Sequence, residues 1–184
     1  MAKISLRAYN QEIGKLIEHG QNEEASAHCK YILKLFPKHL DTYRLLGKTY
    51  LESRRYSEAA DILQRILAVV PDDFVAQIGL SIIREDEGNL DAAIWNMERA
   101  FEVQPSNAAV QEELRRLYGN RDGVQPPRVR LTRGALVRMY TKGNLYQQAI
   151  AEARAAIAES PKRTDLEILL AQNYYHSKNH AEAI

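Results

Sequence analysis

Apolar residues recur at helical spacing along most of this chain. In residues 43–60, YRLLGKTYLESRRYSEAA, apolar side chains fall three or four positions apart, charged side chains lie between them, and no proline interrupts the run. Residues 107–119 show the same pattern, with Val110, Leu114 and Leu117 on one face and charges on the other. This spacing is typical of amphipathic helices, and strand-like alternation is essentially lacking. The pattern therefore predicts an all-α fold.

The helical pattern repeats with a fixed period, which the prolines mark. Pro37, Pro71 and Pro105 are evenly spaced, and an alanine precedes each of them at the same offset. The residue before a proline is disfavoured in the helical conformation, so each proline marks the end of a helix. A period of about 34 residues is typical of stacked helical hairpins. For the middle unit it predicts a first helix at 40–53 and a second helix at 56–69.

Gly47 lies inside the predicted first helix of the middle unit. Glycine in a helix interior costs about 1 kcal/mol relative to alanine, so we expect a close neighbour to offset that cost. We expect Gly47 to face Ala59 of the second helix, because small residues let two backbones approach and gain dispersion contacts. Four larger side chains are expected to fill the space around this contact: Tyr43, Leu46, Tyr50 and Leu63.

The middle unit carries a recognisable repeat motif. The motif reads W-x2-L-G-x2-Y, then A-x3-F, then P, and recurs once in each repeat. Its counterparts here are Tyr43, Leu46, Gly47, Tyr50, Ala59, Leu63 and Pro71. The other units match it in part and in the same register, so the chain resembles the tetratricopeptide repeat family. The resemblance implies a right-handed superhelical solenoid of antiparallel helix-turn-helix repeats.

The register breaks after Pro105, because the next matching proline, Pro161, comes well over one period later. Helix 107–119, which Gly119-Asn120 is expected to end, has two interpretations. It is either the first helix of a fourth unit, paired with 130–142, or a capping helix, which we prefer. The predicted organisation is three repeats at about 6–39, 40–73 and 74–107, a capping helix at 107–119, a basic linker containing Gly and Pro at 120–129, a repeat at 130–163 and the first half of another at 164–184.

Composition narrows the class of protein. The net charge of +1 predicts no general attraction to nucleic acid or to acidic membranes. The chain has neither the apolar run of a secretory signal at its start nor the roughly 20 apolar residues of a membrane span. Its one cysteine, Cys29, suits a reducing compartment, and we expect it to be a packed thiol. We therefore expect a cytoplasmic protein.

Partner-binding residues follow from the resemblance. In the family, ligands usually contact positions two, five and nine of each first helix, on the concave side of the superhelix. Transferred to this chain, those positions are Arg7, Asn10, Gly14, Asp41, Arg44, Lys48, Val75, Ile78, Ile82, Leu131, Gly134 and Arg138. Seven of them are our candidates: Asn10, Arg44, Lys48, Val75, Ile78, Ile82 and Arg138. Arg44 and Lys48 share a helical face, so they predict a site for an acidic group.

Beside these two basic residues, Ile78 and Ile82 form an apolar strip that predicts a site for the apolar anchors of a peptide. The alternative is that helix 107–119 covers both isoleucines and that the basic residues are solvated. Asn10 and Gly14 stand where chaperone-tail-binding members have a lysine and asparagine clamp, so this departure argues against chaperone C-termini as ligands.

Other candidate sites are weaker. Residues 120–142 hold six basic residues and one acidic residue, a charge that a phosphate, a nucleic acid or an acidic protein could neutralise. No aromatic residue interleaves with them before Tyr140, so nucleic acid is not expected as a partner and a solvated linker is favoured. His176 and His180 lack the accompanying ligands of a metal site. We expect no metal and no cofactor.

The sequence therefore predicts a protein–protein interaction scaffold that binds a protein or peptide partner. Two alternatives are open. One is self-association through 164–184, as a homodimer or by helix exchange, because half a repeat exposes an apolar face. The other is a regulatory segment of a larger protein. We expect no enzyme, because no nucleophile, base and orienting group can be assembled from the residues by spacing.

Overall fold

The computed structural model describes residues 5–178. This part of the chain contains ten α-helices and no strand, so the all-α prediction is confirmed. The helices are α1 Leu6–Glu18, α2 Asn22–Leu35, α3 Leu40–Glu52, α4 Tyr56–Val69, α5 Phe74–Asp86, α6 Leu90–Val103, α7 Ala108–Asp122, α8 Arg133–Lys142, α9 Tyr146–Glu159 and α10 Thr164–His176. The helices predicted at 40–53 and 56–69 are α3 and α4.

Four polar residues, each one period after the last, begin four of the helices. The side chains of Ser5, His39, Asp73 and Asn107 each accept a hydrogen bond from the backbone N–H three residues further on, at 2.9–3.4 Å. Each bond satisfies one of the N–H groups that a helix start leaves without a partner. The four caps open α1, α3, α5 and α7, so α7 begins in the register of a first helix.

A second recurring hydrogen bond holds the loops before α3, α5 and α7. In each loop a side chain donates to the carbonyl oxygen of the proline six positions earlier. The three pairs are Tyr43 to Pro37 at 3.2 Å, Gln77 to Pro71 at 3.2 Å and Gln111 to Pro105 at 2.6 Å. The repeating prolines therefore anchor the following helix as well as ending the preceding one.

The turn inside each hairpin contains a residue with a positive φ. Gly20, Arg54 and Gly88 have φ angles of 74°, 55° and 75°, and Asn144 and Lys178 have 59° and 66°. Within each of these two sets the residues are one period apart. Because a side chain disfavours this conformation, glycine is the natural choice there. The backbone keeps the turn even where the sequence supplies arginine or lysine.

Residues up to Asn89 form the first of two compact units. Its central helix is α3, which contacts α1, α2, α4 and α5. Its core consists of apolar side chains from all five helices: Ile13, Ile17, Ala25, Cys29, Ile32, Leu46, Tyr50, Ala59, Leu63, Ile66, Ala76, Leu80 and Ile83. Burial of this apolar surface is the main stabilising contribution to the unit.

The neighbour of Gly47 differs from the one we expected. A Cβ atom on Gly47 would lie 2.9 Å from Cδ2 of Leu63 and 3.6 Å from Cγ2 of Ile62, so Leu63 occupies the space predicted for Ala59. The other methyl group of Leu63, Cδ1, would lie 2.6 Å from a Cβ on Gly79. The two glycines thus admit one large side chain, because a leucine fills the space between three helices where an alanine would leave a void.

Residues from Leu90 onward form the second unit. Within it α6 contacts α7 and α8, α8 pairs with α9, and α10 packs on both α8 and α9. The pairing of α7 with α8, expected if α7 opened a complete fourth repeat, is not formed in the described part of the chain. Four residues form the core of the last three helices: Val137, Ala153, Ala156 and Leu166.

The predicted stop of helix 107–119 at Gly119-Asn120 is wrong. The helix continues to Asp122, and Gly123 ends it with a φ of 78°. Gly119 instead permits a close approach, because a Cβ there would lie 3.3 Å from Cα of Gln125. The chain folds back onto α7 at this point, where Nε of Arg115 donates to the carbonyl oxygen of Pro126 at 2.8 Å.

Candidate partner-binding site

Four of the seven predicted partner-binding residues line one cavity of about 520 Å³ in the first unit. They are Asn10 of α1, Arg44 and Lys48 of α3, and Val75 of α5. We call it the first-helix cavity, since α1, α3 and α5 build it with the loop before α3. The remaining lining residues are Arg7, Gln11, His39, Asp41 and Leu45.

Arg44 is already engaged by two carboxylates. Its Nε and Nη2 donate to Oδ2 of Asp73 at 2.7 and 2.5 Å, and its Nη1 donates to Oδ1 of Asp41 at 2.5 Å. The Asp73 side chain is only 3% exposed. The hydrogen bond that Arg44 donates to Asp73 raises the pKa of the Arg44 guanidinium, and Asp41 acts in the same direction. Arg44 therefore joins α3 to the start of α5 and shapes the cavity wall.

Two cations of the first-helix cavity have no such partner. The side chains of Arg7 and Lys48 are exposed and form no hydrogen bond or ion pair with any other residue of the described part of the chain. A bound carboxylate would meet these two groups, since the charge of Arg44 is largely neutralised. We predicted this role for Arg44 and Lys48. Arg7 lies at a position transferred from the family but is not among the seven selected candidates.

Asn10 closes one side of the cavity through a contact with the next repeat. Its Oδ1 accepts a hydrogen bond from Oγ1 of buried Thr42 at 3.1 Å. Since this bond uses one acceptor of the amide, the side-chain NH₂ group is the part of Asn10 left to face a ligand.

The apolar side of the site lies on α5. Val75, Ile78 and Ile82 follow one another at helical spacing on one face of that helix. Val75 is 41% exposed and Ile82 43% exposed, whereas Ile78 is half-buried. Of the three, Val75 alone lines the first-helix cavity. Exposed aliphatic side chains in a row are suited to apolar anchors of a partner.

Arg138 belongs to the second unit and is not among the residues that line the first-helix cavity. It lines a different cavity, of about 670 Å³, together with Glu102, Asn107, Lys142 and Leu169 among others. Its Nη2 donates to Oδ2 of Asp165 at 3.0 Å. The first-helix cavity therefore contains no contribution from this arginine.

The basic segment at 120–142 is partly neutralised by nearby carboxylates. Arg121 pairs with Asp122 at 2.7 Å, and Arg133 pairs with Glu152 at 2.9 Å and with Glu159 at 3.0 Å. Together with Arg138, three of the six basic residues thus have acidic partners. This arrangement favours a structural role for these side chains over a phosphate site.

A buried network of charged side chains in the second unit was missed by the sequence analysis. Glu102 of α6 is 1% exposed, and its carboxylate accepts hydrogen bonds from Arg99, Arg163 and Thr132. Arg163 also donates to both carboxylate oxygens of Asp165 at 2.8 Å. The network joins α6 to the starts of α8 and α10. No local sequence pattern predicts this network, because Glu102 and Arg163 are 61 positions apart.

The network affects the pKa of Asp165 and the type of residue that fits at position 134. Burial alone would raise the pKa of the Asp165 carboxyl, but the hydrogen bonds from Arg163 and the charges of Arg163, Arg138 and Arg99 together lower that pKa below its ordinary value. Gly134 lies against the Glu102 carboxylate so closely that a Cβ there would overlap it. Glycine at this position therefore makes room for the buried anion.

The cysteine and the histidines singled out in the sequence do not form a catalytic or metal site in the described part of the chain. Cys29 is fully buried, as expected for a packed thiol, and burial raises its pKa to about 12. Across residues 5–178, no three His, Cys, Asp or Glu side chains are grouped so as to hold a metal ion. His176 is exposed and stacks on Tyr146, with 5.4 Å between ring centroids, while His180 lies outside the described residues. None of the described helices is long and apolar enough to cross a bilayer.

Comparison with known families agrees with the repeat geometry. Residues 16–80, which include the first-helix cavity positions of α3 and Val75, match the sequence model of the tetratricopeptide repeat family. Residues 16–80 thus carry tetratricopeptide repeats. Such a fold is consistent with a protein–protein interaction scaffold.

Two curated proteins resemble parts of this repeat chain. Superkiller protein 3 of Schizosaccharomyces pombe is 24% identical over 111 residues, which are 60% of this chain and 8% of that protein. The uncharacterized protein y4yS of Sinorhizobium fredii is 32% identical over 82 residues, which are 45% of each chain. The match thus spans less than half the length of either relative.

Solved repeat structures resemble the chain in fold. The structure of Naa15/Naa10 bound to HypK-THB superposes with a TM-score of 0.55 at 18% identity, over 95% of this chain and 23% of that one. The crystal structure of the MamA protein superposes with a TM-score of 0.53 at 19% identity, over 95% of this chain and 84% of that one. At these identities the likeness concerns the fold alone.

Proposed function

We propose that the chain is a non-catalytic scaffold that binds an acidic segment of a partner protein in the first-helix cavity. The observation that carries this proposal is the meeting of Asn10, Lys48 and Val75 with Arg7 around one cavity of about 520 Å³. Ligand sites combine a concave apolar surface with a few polar groups that fix orientation, and this cavity has both. We also propose a cytoplasmic location, which suits the free thiol of Cys29.

The expected ligand is an extended peptide with a carboxylate beside an aliphatic side chain. The carboxylate would pair with Arg7 and Lys48, while Val75, Ile78 and Ile82 would receive apolar side chains along α5. Arg44 would help to position the ligand without carrying most of its charge, because Asp73 and Asp41 already engage it. In this proposal α7 caps the third repeat and Arg138 belongs to a separate surface.

Affinity capture with matched variants tests the proposal. The purified chain is compared with the double variants Arg7→Glu/Lys48→Glu and Ile78→Glu/Ile82→Glu, and with Lys34→Glu, an exposed cation of α2 outside the cavity. Circular dichroism first verifies that each variant is folded. We expect a partner that the parent chain and Lys34→Glu retain and both double variants lose. Equal capture by all four proteins would reject the first-helix cavity as the binding site.

Self-association through the last helix is a second candidate function. α10 exposes Ile168 and Tyr175, seven positions apart and hence on neighbouring turns of one face. Residues 179–184, which the sequence analysis included in this edge, lie outside the described residues. Sedimentation at several concentrations distinguishes the candidates, since a mass that doubles with concentration in the parent but not in Ile168→Glu would favour self-association. A role as the regulatory segment of a larger protein is compatible with either surface.

A further inference from the structure

A second pocket of the first unit lies at the opposite end of α3 from its turn with α4. It has a volume of about 450 Å³ and is lined by seven residues: Pro37, Lys38, Leu40, Tyr43, Arg65, Ile66 and Val69. We call it the Tyr43 pocket. Because α3 and α4 are antiparallel, the loop before α3 and the last turn of α4 meet here. None of its residues lines the first-helix cavity.

The walls of the Tyr43 pocket are held in place by the fold. Oη of Tyr43 donates to the carbonyl oxygen of Pro37, and the backbone N–H of His39 donates to the carbonyl oxygen of Phe36 at 3.1 Å. Ile66 at its base is almost fully buried, whereas Val69 at its edge is 68% exposed. The pocket is therefore preformed and apolar, and little conformational entropy is lost when it is filled.

Comparison among the repeats shows which features of the pocket the fold does not require. The bond that Tyr43 makes to Pro37 is made by glutamine in the next two loops, from Gln77 and Gln111 to their prolines. An amide thus suffices to hold the loop. The phenol ring of Tyr43 contributes an apolar wall in addition to the hydrogen bond, and this wall is particular to the second repeat.

One of the two rim charges, that of Lys38, is also particular to this repeat, whereas the next repeat has Arg99 at the position that corresponds to Arg65. Lys38 is replaced by Asp72 and Ser106 at the corresponding positions of the next two loops. Neither Lys38 nor Arg65 forms a hydrogen bond or ion pair with another of the residues that the structure describes. Both are exposed. The pocket therefore combines an apolar interior with two positive charges that nothing in the described part of the first unit neutralises.

We propose that the Tyr43 pocket is a second docking site, which takes an aliphatic side chain flanked by carboxylates from an acidic segment of a partner protein. Charge complementarity selects this occupant, since Lys38 and Arg65 attract acidic flanks while the interior accepts only an apolar group. A volume of about 450 Å³ lies within the usual range of ligand pockets. The site does not depend on the proposed function of the first-helix cavity.

Nuclear magnetic resonance titration of the ¹⁵N-labelled chain tests this site directly. The probe is the capped tripeptide Glu-Leu-Glu, and the controls are Glu-Ala-Glu, which lacks the anchor, and Lys-Leu-Lys, which reverses the charge. The protein variants are Lys38→Glu/Arg65→Glu, with Lys34→Glu as the matched control for an exposed cation outside the pocket. All the substituted side chains are exposed, so each variant should keep the fold.

We expect Glu-Leu-Glu to shift amide signals of residues 37–43 and 65–69 and to bind about tenfold more weakly to the double variant, with no change in Lys34→Glu. Equal binding of either control peptide, undiminished binding to the double variant, or the absence of any shift would overturn the proposal. Shifts confined to residues around Arg7 and Lys48 would overturn it too, while leaving the proposed function intact. Concentration-dependent dimerisation that the double variant abolishes would assign the pocket to a second copy and reject the peptide.

Discussion

The side chain of Leu63 is held between two glycines that lie on different helices. Its two methyl groups occupy the space where Gly47 of α3 and Gly79 of α5 would otherwise carry a Cβ. Each glycine costs helix propensity, and the buried leucine offsets this cost through close packing. A search for small residues on facing helices could not find this arrangement, because the partner of both glycines is a large residue.

Gly79→Ala should destabilise the protein. The added Cβ would lie 2.6 Å from Leu63 and 3.0 Å from Leu51, so both side chains must move in a packed core. We expect the free energy of unfolding to fall by about 1–3 kcal/mol. Gly14→Ala is the matched control, since no atom lies within 4 Å of its added Cβ and helix propensity alone should raise stability. Urea unfolding measures both, and equal stabilisation by the two substitutions would disprove the packing argument.

At the scale of helices, the second unit is joined by buried charge as well as by apolar contact. Glu102 of α6 connects to Thr132, which caps α8, and to Arg163, which precedes α10. A buried ion pair costs desolvation to form, so its net contribution to stability is small, but removing one partner leaves an uncompensated charge. The network therefore mainly determines which helix ends pack together, and it adds little net stability.

Glu102→Gln should weaken the second unit strongly. Arg99 and Arg163 would lose their shared buried anion, and breaking a buried pair of this kind costs about 3–5 kcal/mol. Glu152→Gln is the control, because it removes a carboxylate whose partner, Arg133, is 46% exposed, and little change is expected there. Urea unfolding followed by circular dichroism compares them. Similar midpoints for the two variants would show that the network adds nothing to stability.

At the scale of the whole molecule, a buried and paired carboxylate such as Asp165 makes stability depend on pH. The pKa of Asp165 is lowered in the folded state. Its contribution to stability is therefore present above the unfolded pKa of about 3.9 and is lost as the pH falls through that value toward the folded one.

Stability should accordingly fall in acid more steeply for the parent than for Asp165→Asn. The variant should be the less stable of the two near pH 6, because Arg163 and Arg138 lose a buried anion. The difference should shrink below about pH 4, where Asp165 of the unfolded parent is protonated. Urea midpoints at pH 6, 4 and 3 supply the comparison. A difference that stays constant across this range would show that the Asp165 carboxylate is not the titrating group.

Local sequence determined the helices and their period. Prolines, caps such as Asp73 and apolar spacing act within about one helical turn, so the bounds of α3 and α4 could be predicted without knowledge of the fold. The predicted helix end at Gly119 was wrong because it rested on local sequence alone. A helix can continue through a glycine when tertiary contacts favour it. Four of the seven candidate site residues also line one cavity, because a fixed period places equivalent helix positions on one side.

Only the tertiary structure decided which side chains are free to bind. Arg44 and Lys48 look alike in the sequence, yet Asp73 engages Arg44 from 29 positions away, whereas Lys48 and Arg7 have no partner among the described residues. The Glu102 network and the packing of Leu63 between two glycines likewise depend on residues brought together by the fold. These partners are distant along the chain and meet only in the folded structure. The spacing of residues in the sequence therefore does not reveal them.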